Sequence, residues 1–297
     1  MEVKEIARRV GSNVKTLTAT RHPLWMIRED VFKLIFVHCK NLRKIILDDF
    51  SIPSSIISDV TIAFKNLTVA VLTNCNLTDD TLMALLPMKQ IEVLNLSYNF
   101  CLKGTFLVKL EKIREIDLSH CHKIDVQMFK DFCVNSQLQS LNISKNKNII
   151  KNCLDTIAKN LTNLESLAIS DFFQADENSY LVLADLPNMK RLDLYTYLEH
   201  SEEINLLGKF LLAVSAHNRL EHLDISESNI TDDVKAALAN LKNLKILKMV
   251  DVSHLNDRTL TRLSCFNTLQ ELYVSRSNIS ASGLIRVIKH SPLINEA

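Results

Sequence analysis

One hydrophobic phrase recurs along the chain: apolar, two residues, apolar, one residue, apolar. It starts as Val14-x-x-Leu17-x-Ala19, Leu42-x-x-Ile45-x-Leu47, Leu67-x-x-Ala70-x-Leu72, Ile91-x-x-Leu94-x-Leu96 and Ile113-x-x-Ile116-x-Leu118. It continues as Leu138-x-x-Leu141-x-Ile143, Leu164-x-x-Leu167-x-Ile169, Met189-x-x-Leu192-x-Leu194, Leu220-x-x-Leu223-x-Ile225, Leu244-x-x-Leu247-x-Met249 and Leu269-x-x-Leu272-x-Val274. Successive starts are 28, 25, 24, 22, 25, 26, 25, 31, 24 and 25 residues apart. Alternation within the phrase predicts a short strand whose fourth and sixth residues point inward and whose third, fifth and seventh point the other way. Each strand returns one period later in the same direction, so the sheet is parallel and every repeat must cross back. The crossings predict helices. Val234, Ala237, Leu238 and Leu241, and likewise Leu154, Ile157, Ala158 and Leu161, recur at helical spacing. Thr78-Asp79-Asp80 and Thr231-Asp232-Asp233 offer side-chain oxygens to the free amides of a helix start.

Phrase and period resemble the leucine-rich repeat. That resemblance implies an α/β solenoid of about eleven repeats, a horseshoe with parallel strands on its concave face and helices on its convex face. The register is unbroken, so one domain is expected over 1–297, with a flanking amphipathic helix in 1–13 (Val3, Ile6 and Val10 on one face), repeats over 14–292 and the start of an incomplete repeat in 293–297. The ninth phrase position normally turns inward to satisfy turn backbone. It is Cys75, Asn99, Cys121, Asn146, Ser228 and Ser277 in six of the repeats, all side chains suited to that task.

The segments Leu118-Ser119-His120-Cys121-His122-Lys123-Ile124 and Asn229-Ile230-Thr231-Asp232-Asp233 resemble the cysteine-containing class of these repeats. That class is typical of F-box/leucine-rich-repeat proteins, the substrate receptors of cullin-based ubiquitin ligases. The resemblance implies a protein-protein interaction module that recognises a substrate for an SCF-type ligase. No F-box stands ahead of the first repeat in 1–13, so the chain is expected to be part of a longer receptor. A ligase adaptor and a cullin are partners only if the full-length product carries an F-box. The alternative is a stand-alone repeat scaffold or inhibitor that binds a protein without any ligase.

Composition changes this picture little. Lys and Arg total 35 against 34 Asp and Glu, so nothing in the total asks for nucleic acid or an anionic membrane. Seven cysteines without any C-x-x-C spacing fit a reducing compartment, cytoplasm or nucleus, rather than secretion. Residues 1–14 hold no apolar run of the kind a secretory leader needs. The Asn-x-Ser/Thr triplets at Asn95 and Asn142 fall inside predicted strands and count as products of the repeat.

No chemistry of catalysis stands out. Glycine-rich phosphate loops, nucleophile elbows and His-Glu-x-x-His are absent. The Ser119-His120 pair belongs to a recurrent seventh-position serine (Ser97, Ser119, Ser144, Ser170, Ser226, Ser275), whereas a nucleophile would be singular and paired with a base. His120-Cys121-His122 lacks a second ligand pair, and consecutive residues at a strand end cannot converge on zinc. The expectation is therefore no enzyme, no metal and no cofactor.

The candidate partner surface is the sheet face. Its first repeats are apolar (Ile46, Val69, Val71, Val93) and its middle is polar (Asn95, Tyr98, Glu115, Asp117, His120, Asn142, Lys145). From the seventh repeat it carries Asp171, Asp193, Asp224, Glu227, Asp251 and Glu271 against Arg191, Lys248 and Arg276, six acidic to three basic. This sector is expected to receive a basic or mixed-charge protein segment, with Tyr98, Tyr195 and Tyr273 as aromatic anchors. The longest interval, from Met189 to Leu220, holds an insertion near Tyr195–Glu203, where Tyr197, with Phe173 one repeat earlier, is expected to form a rim.

Overall fold

The computed structural model describes residues 11–20, 29–52, 57–134, 136–170, 177–195, 204–217, 219–262, 267–291 and 293–294. The chain divides into two compact units, Met1–Ile149 and Ile150–Ala297. Eleven strands alternate with helices along the described residues.

In the first unit, β1 (Thr16–Thr20), β2 (Lys44–Asp48), β3 (Val69–Thr73), β4 (Val93–Asn95), β5 (Glu115–Asp117) and β6 (Ser140–Asn142) pair in sequence order, all parallel. The fourth phrase position is in register throughout: Leu17 beside Ile45, then Ala70, Leu94, Ile116 and Leu141. From Ile45 onward this row is buried, as is the sixth-position row Leu47, Leu72, Leu96, Leu118 and Ile143. At β1 the inward Leu17 and Ala19 are only half-buried. Each fully buried leucine contributes about 1.5–3 kcal/mol relative to exposure, and stacking identical positions makes these rows the spine of the fold.

In the second unit, β7 (Ser166–Ser170), β8 (Arg191–Tyr195), β9 (His222–Asp224), β10 (Ile246–Lys248) and β11 (Glu271–Tyr273) repeat the arrangement, with Leu167, Leu192, Leu223, Leu247 and Leu272 in one register.

The crossings follow the apolar spacing. In helix Asp232–Asn240 the residues Val234, Ala237 and Leu238 are buried, and Leu241 after it is buried too. The expected caps form: Thr78 accepts from the Thr81 amide at 3.3 Å and Thr231 from the Val234 amide at 3.2 Å. The residue after the cap does a second job. Asp79 accepts the amides of Lys103 (2.8 Å) and Thr105 (2.6 Å), one repeat on. Asp257 likewise accepts the Ser280 amide at 2.7 Å, and Gly283 lies so close beneath it that a Cβ there would collide with its carboxylate.

Not every crossing is an α-helix. In the shortest repeat, Ile91 to Ile113, the described return path contains only the 3-10 turn Leu107–Lys109, entered through Gly104 at φ 100°. A 22-residue period leaves too few residues for strand, two corners and several helical turns. Of the expected N-terminal helix, Gly11–Asn13 is a 3-10 turn and the rest lies outside the described residues. No helix among the described residues is long and apolar enough to cross a membrane.

Candidate protein-binding surface

Wherever the eighth phrase position is among the described residues, the chain leaves its strand through a left-handed corner. The eighth phrase position has positive φ at Asp49, Asn74, Tyr98, His120, Lys145, Glu227, Asp251 and Arg276, between 52° and 64°. The amide at this corner donates to the seventh-position carbonyl of the next repeat: Tyr98 to Ser119 (3.0 Å), His120 to Ser144 (3.0 Å), Glu227 to Val250 (2.8 Å) and Asp251 to Ser275 (2.9 Å). In each unit, then, eighth-position side chains stand one strand spacing apart, about 4.8 Å, as a ridge at the carboxyl ends of the strands.

In the first unit this ridge carries a grid of four rings. Tyr98 stacks on His120 with centroids 4.1 Å apart and planes at 14°. Phe100 lies parallel to His122 at 5.8 Å and 17°. The two rows meet edge to face, Tyr98 with Phe100 at 6.3 Å and His120 with His122 at 5.8 Å. His122 Nδ1 lies 2.9 Å from the Lys145 carbonyl, to which it donates. Tyr98 is 42% exposed and Phe100 46%, unusual for large aromatic surface already in contact with other rings. Of the expected partner residues, this ridge unites Tyr98, His120 and Lys145. Phe100 and His122 complete it, although the repeat pattern alone does not single them out as partner residues. Their signal in the sequence is an aromatic ring at both the eighth and tenth positions of two consecutive repeats.

Beneath the rings, the open face of the sheet (the side turned from the helices) has a different role. Asp117 Oδ2 accepts from Asn142 Nδ2 at 3.0 Å and from Asn95 Nδ2 at 3.3 Å, while its Oδ1 accepts the Ser119 amide at 2.8 Å. Asn95, Asn142 and Asp224 accept the amides of Ser97, Ser144 and Ser226 in the same way. The fifth position thus folds each strand's exit with a side-chain turn, and Asp117 and Asp224 are held in that work.

In the second unit, Asp193 and His222 are buried on this face. Asp193 Oδ2 accepts from Arg191 Nε at 2.9 Å, and its Oδ1 lies 3.2 Å from His222 Nε2, near enough for an ion pair but poorly angled for a hydrogen bond. Burial alone would raise the Asp193 carboxyl. His222 and Arg191 outweigh it and hold the group below the usual range. The more accessible charges here are Asp251, with Arg276 at 3.9 Å, and half-buried Glu227. Tyr273 is exposed, with Lys248 Nζ 5.3 Å over its ring and its hydroxyl donating to Glu271 at 2.9 Å. Tyr195 ends β8. Asp171, Phe173 and Tyr197 lie outside the described residues.

The ninth position turns inward as expected. Asn99 Nδ2 donates to the Leu72 and Leu96 carbonyls, and its Oδ1 accepts the amides of Cys75 and Leu77. Asn146 repeats the donor half toward Leu118 and Ile143. The Cys75 thiol donates to the Leu47 carbonyl, Cys121 to that of Leu96, and the Ser228 hydroxyl to that of Ile225. Burial pushes both thiols up to about 12, against a weaker downward pull from nearby backbone. Among the described residues no cluster of His, Cys, Asp or Glu is placed to hold a metal ion.

Comparison with known proteins agrees with this architecture. No family model matches the sequence, and no curated protein matches it. Among solved structures, the leucine-rich repeat-containing protein LegL7 from Legionella pneumophila is similar at 19% identity and TM-score 0.61, over 93% of this chain and 98% of that one. A chain of the yeast Rad7 and Elc1 complex matches at 17% identity and TM-score 0.59, over 99% and 86% respectively. An internalin from Listeria monocytogenes matches at 18% and 0.51, over 99% and 92%. The fold is therefore that of the leucine-rich-repeat solenoids: α/β, with parallel strands alternating with helices.

Proposed function

We propose that this chain is a protein-binding module, acting as one domain over 1–297, whose working surface is the strand-exit ridge together with the open sheet face. The observation that carries this is the ring grid of exposed Tyr98, Phe100 and His122 with half-buried His120. Exposed, mutually braced aromatics supply large contact area at low entropic cost, which is the character of binding hot spots. No enzymatic step and no cofactor enters this reading.

Its place, in this reading, is the substrate-recognition part of an F-box-type ubiquitin ligase receptor. Supporting that are the resemblance of its cysteine-bearing repeats to those receptors and the fold likeness to a chain solved in complex with Elc1. The stand-alone scaffold is the alternative. A cytoplasmic or nuclear setting is in keeping with Cys75 and Cys121, whose hydrogen bonds require free thiols.

The test is affinity purification of the tagged chain from its own cells, with mass spectrometry of retained proteins. A retained protein lost on Tyr98→Ala/Phe100→Ala, accompanied by cullin and adaptor subunits, supports the ligase reading. The same protein without those subunits leaves the scaffold. No retained protein at all overturns the binding module.

A further inference from the structure

We infer that the ring grid of the first unit is a docking site for an acidic peptide segment that also carries an apolar or aromatic side chain, an inference that rests on the binding-module reading above. Two observations meet here. The first is charge. From the seventh to the tenth position, the three ridge repeats read Ser97-Tyr98-Asn99-Phe100, Ser119-His120-Cys121-His122 and Ser144-Lys145-Asn146-Lys147, with no acidic residue among them. Lys123 follows His122 directly, Lys147 holds the tenth position of the next repeat, equivalent to Phe100 and His122, Lys103 lies three residues after Phe100, and all three are exposed. Of the carboxylates in the same repeat, Asp117 accepts from Asn95, Asn142 and the Ser119 amide, Asp125 caps helix Val126–Val134 through the Gln127 and Met128 amides, and exposed Glu115 stands at the start of β5, the end of the strand away from the rings. The chain as a whole is close to neutral, at a formal +1, so this basic patch is local rather than a general property.

The second observation is which part of each ring remains available. Tyr98 lies face to face with His120 and Phe100 with His122, and the rows close on each other edge to face. The two stacks take one face of each of the four rings, and each edge-to-face contact takes a further face of one ring in its pair, while ring edges, which carry the positive end of the aromatic quadrupole, border the grid. Positive edges in repeats that carry exposed lysines suit carboxylates, and the apolar patch of Tyr98 and Phe100 suits one anchoring side chain. Single-stranded nucleic acid would need free faces on which bases could stack, which this grid does not offer in the same measure.

The experiment pans a naive dodecapeptide phage library against the full chain, then measures the leading synthetic peptide and single-stranded poly(U) by fluorescence anisotropy. The proteins are the native chain, Tyr98→Ala/Phe100→Ala and Lys123→Glu/Lys147→Glu, and thermal unfolding checks that each variant is folded. Enriched peptides should be rich in Asp and Glu around an aromatic or aliphatic residue. Each double variant should weaken the peptide by roughly tenfold or more, and the lysine variant should also flatten its salt dependence. Enrichment of basic or neutral peptides, indifference to both variants, or tighter ridge-dependent binding of poly(U) would overturn the proposal. Peptides that bind the chain but ignore the ridge variants sink this site alone and leave the binding module standing. A chain that selects no peptide and retains no protein from cells loses both.

Discussion

Asn99 Nδ2 lies 2.7 Å from the carbonyl oxygen of Leu72, a residue 27 positions earlier, and this bond fastens the corner of one repeat to the strand of the one before. The same side chain accepts the amides of Cys75 and Leu77 and is fully buried. Asn99→Ala would strand two amides and a carbonyl away from water, each costing about 1–3 kcal/mol. The expected loss is at least about 3 kcal/mol in denaturant unfolding. Asn99→Cys, which places here the residue found at Cys75 and Cys121, keeps a donor for Leu72 but loses the acceptor, and should recover roughly half. Equal losses for both would show that the donor half contributes nothing.

Cys121 offers the same device with a titratable atom. Its folded value is pushed up to about 12 from an ordinary 9.0, chiefly by burial. A folded value above the unfolded one means that stability is fully present below pH 9 and is lost as pH rises from there toward 12. Cys121→Ser, which copies Ser228 at the equivalent position, removes the titration while keeping a donor. The difference in stability between native chain and variant should shift in the variant's favour above pH 9, and a pH-independent difference would contradict this. Cys101, only half-buried, should react with a maleimide in the native state well before Cys75 or Cys121.

The eighth-position corners carry strain that a glycine would relieve. Arg276 sits at φ 53° and is exposed. A left-handed residue with a Cβ costs about 1–2 kcal/mol, offset in part by the greater freedom of glycine when unfolded. Arg276→Gly is expected to raise stability by about 0.5–1 kcal/mol, despite losing a 3.9 Å surface pair with Asp251 that is worth little. A lower melting temperature would mean that the arginine makes contacts worth more than its strain.

Much of the fold is legible in the chain because buried rows repeat. One phrase sets both the face and the register of every strand, and a slip by one residue would put Leu94 or Leu223 into water. The corners are hidden for a physical reason. Positive φ is usually announced by glycine or asparagine, and here tyrosine, histidine, lysine, glutamate and arginine also occupy it, with Tyr98, His120 and Glu227 held there by the amide bond to the next repeat. The ring grid is half legible, Tyr98 and His120 being expected on the partner face. The pairing of Phe100 with His122 depends on how far two corner side chains lean toward each other, which no one-dimensional spacing contains. Asn95, Asp117 and Asn142 are legible as polar and outward, but their amide-capping role comes from the sharp exit after a three-residue strand.

Leu223 tests the register directly. It is fully buried in the row with Leu192 and Leu247. Leu223→Ala should cost about 2–5 kcal/mol, measured by urea unfolding. A cost near zero would displace β9 from its row.

Asp193 decides whether the charged face of the second unit is built for a partner or for the fold. Its carboxylate is buried between Arg191 and His222 and held below its ordinary 3.8 by them, in spite of desolvation. A depressed folded value contributes stability above pH 3.8 that is lost as pH falls through the folded value. Asp193→Asn should therefore be less stable than the native chain near neutral pH, and the gap should close in acid. Removing the group altogether, as Asp193→Ala, leaves buried His222 without its partner while half-exposed Arg191 turns to water, and should cost about 1–3 kcal/mol. Charge reversal at Asp193 would confound folding with binding, so the cleaner probe of an acidic partner surface is Asp251→Lys, which changes an exposed corner. If Asp251→Lys leaves partner retention intact while Asp193→Ala lowers stability as stated, the charges of this face serve the solenoid, and recognition falls to the ring-bearing ridge.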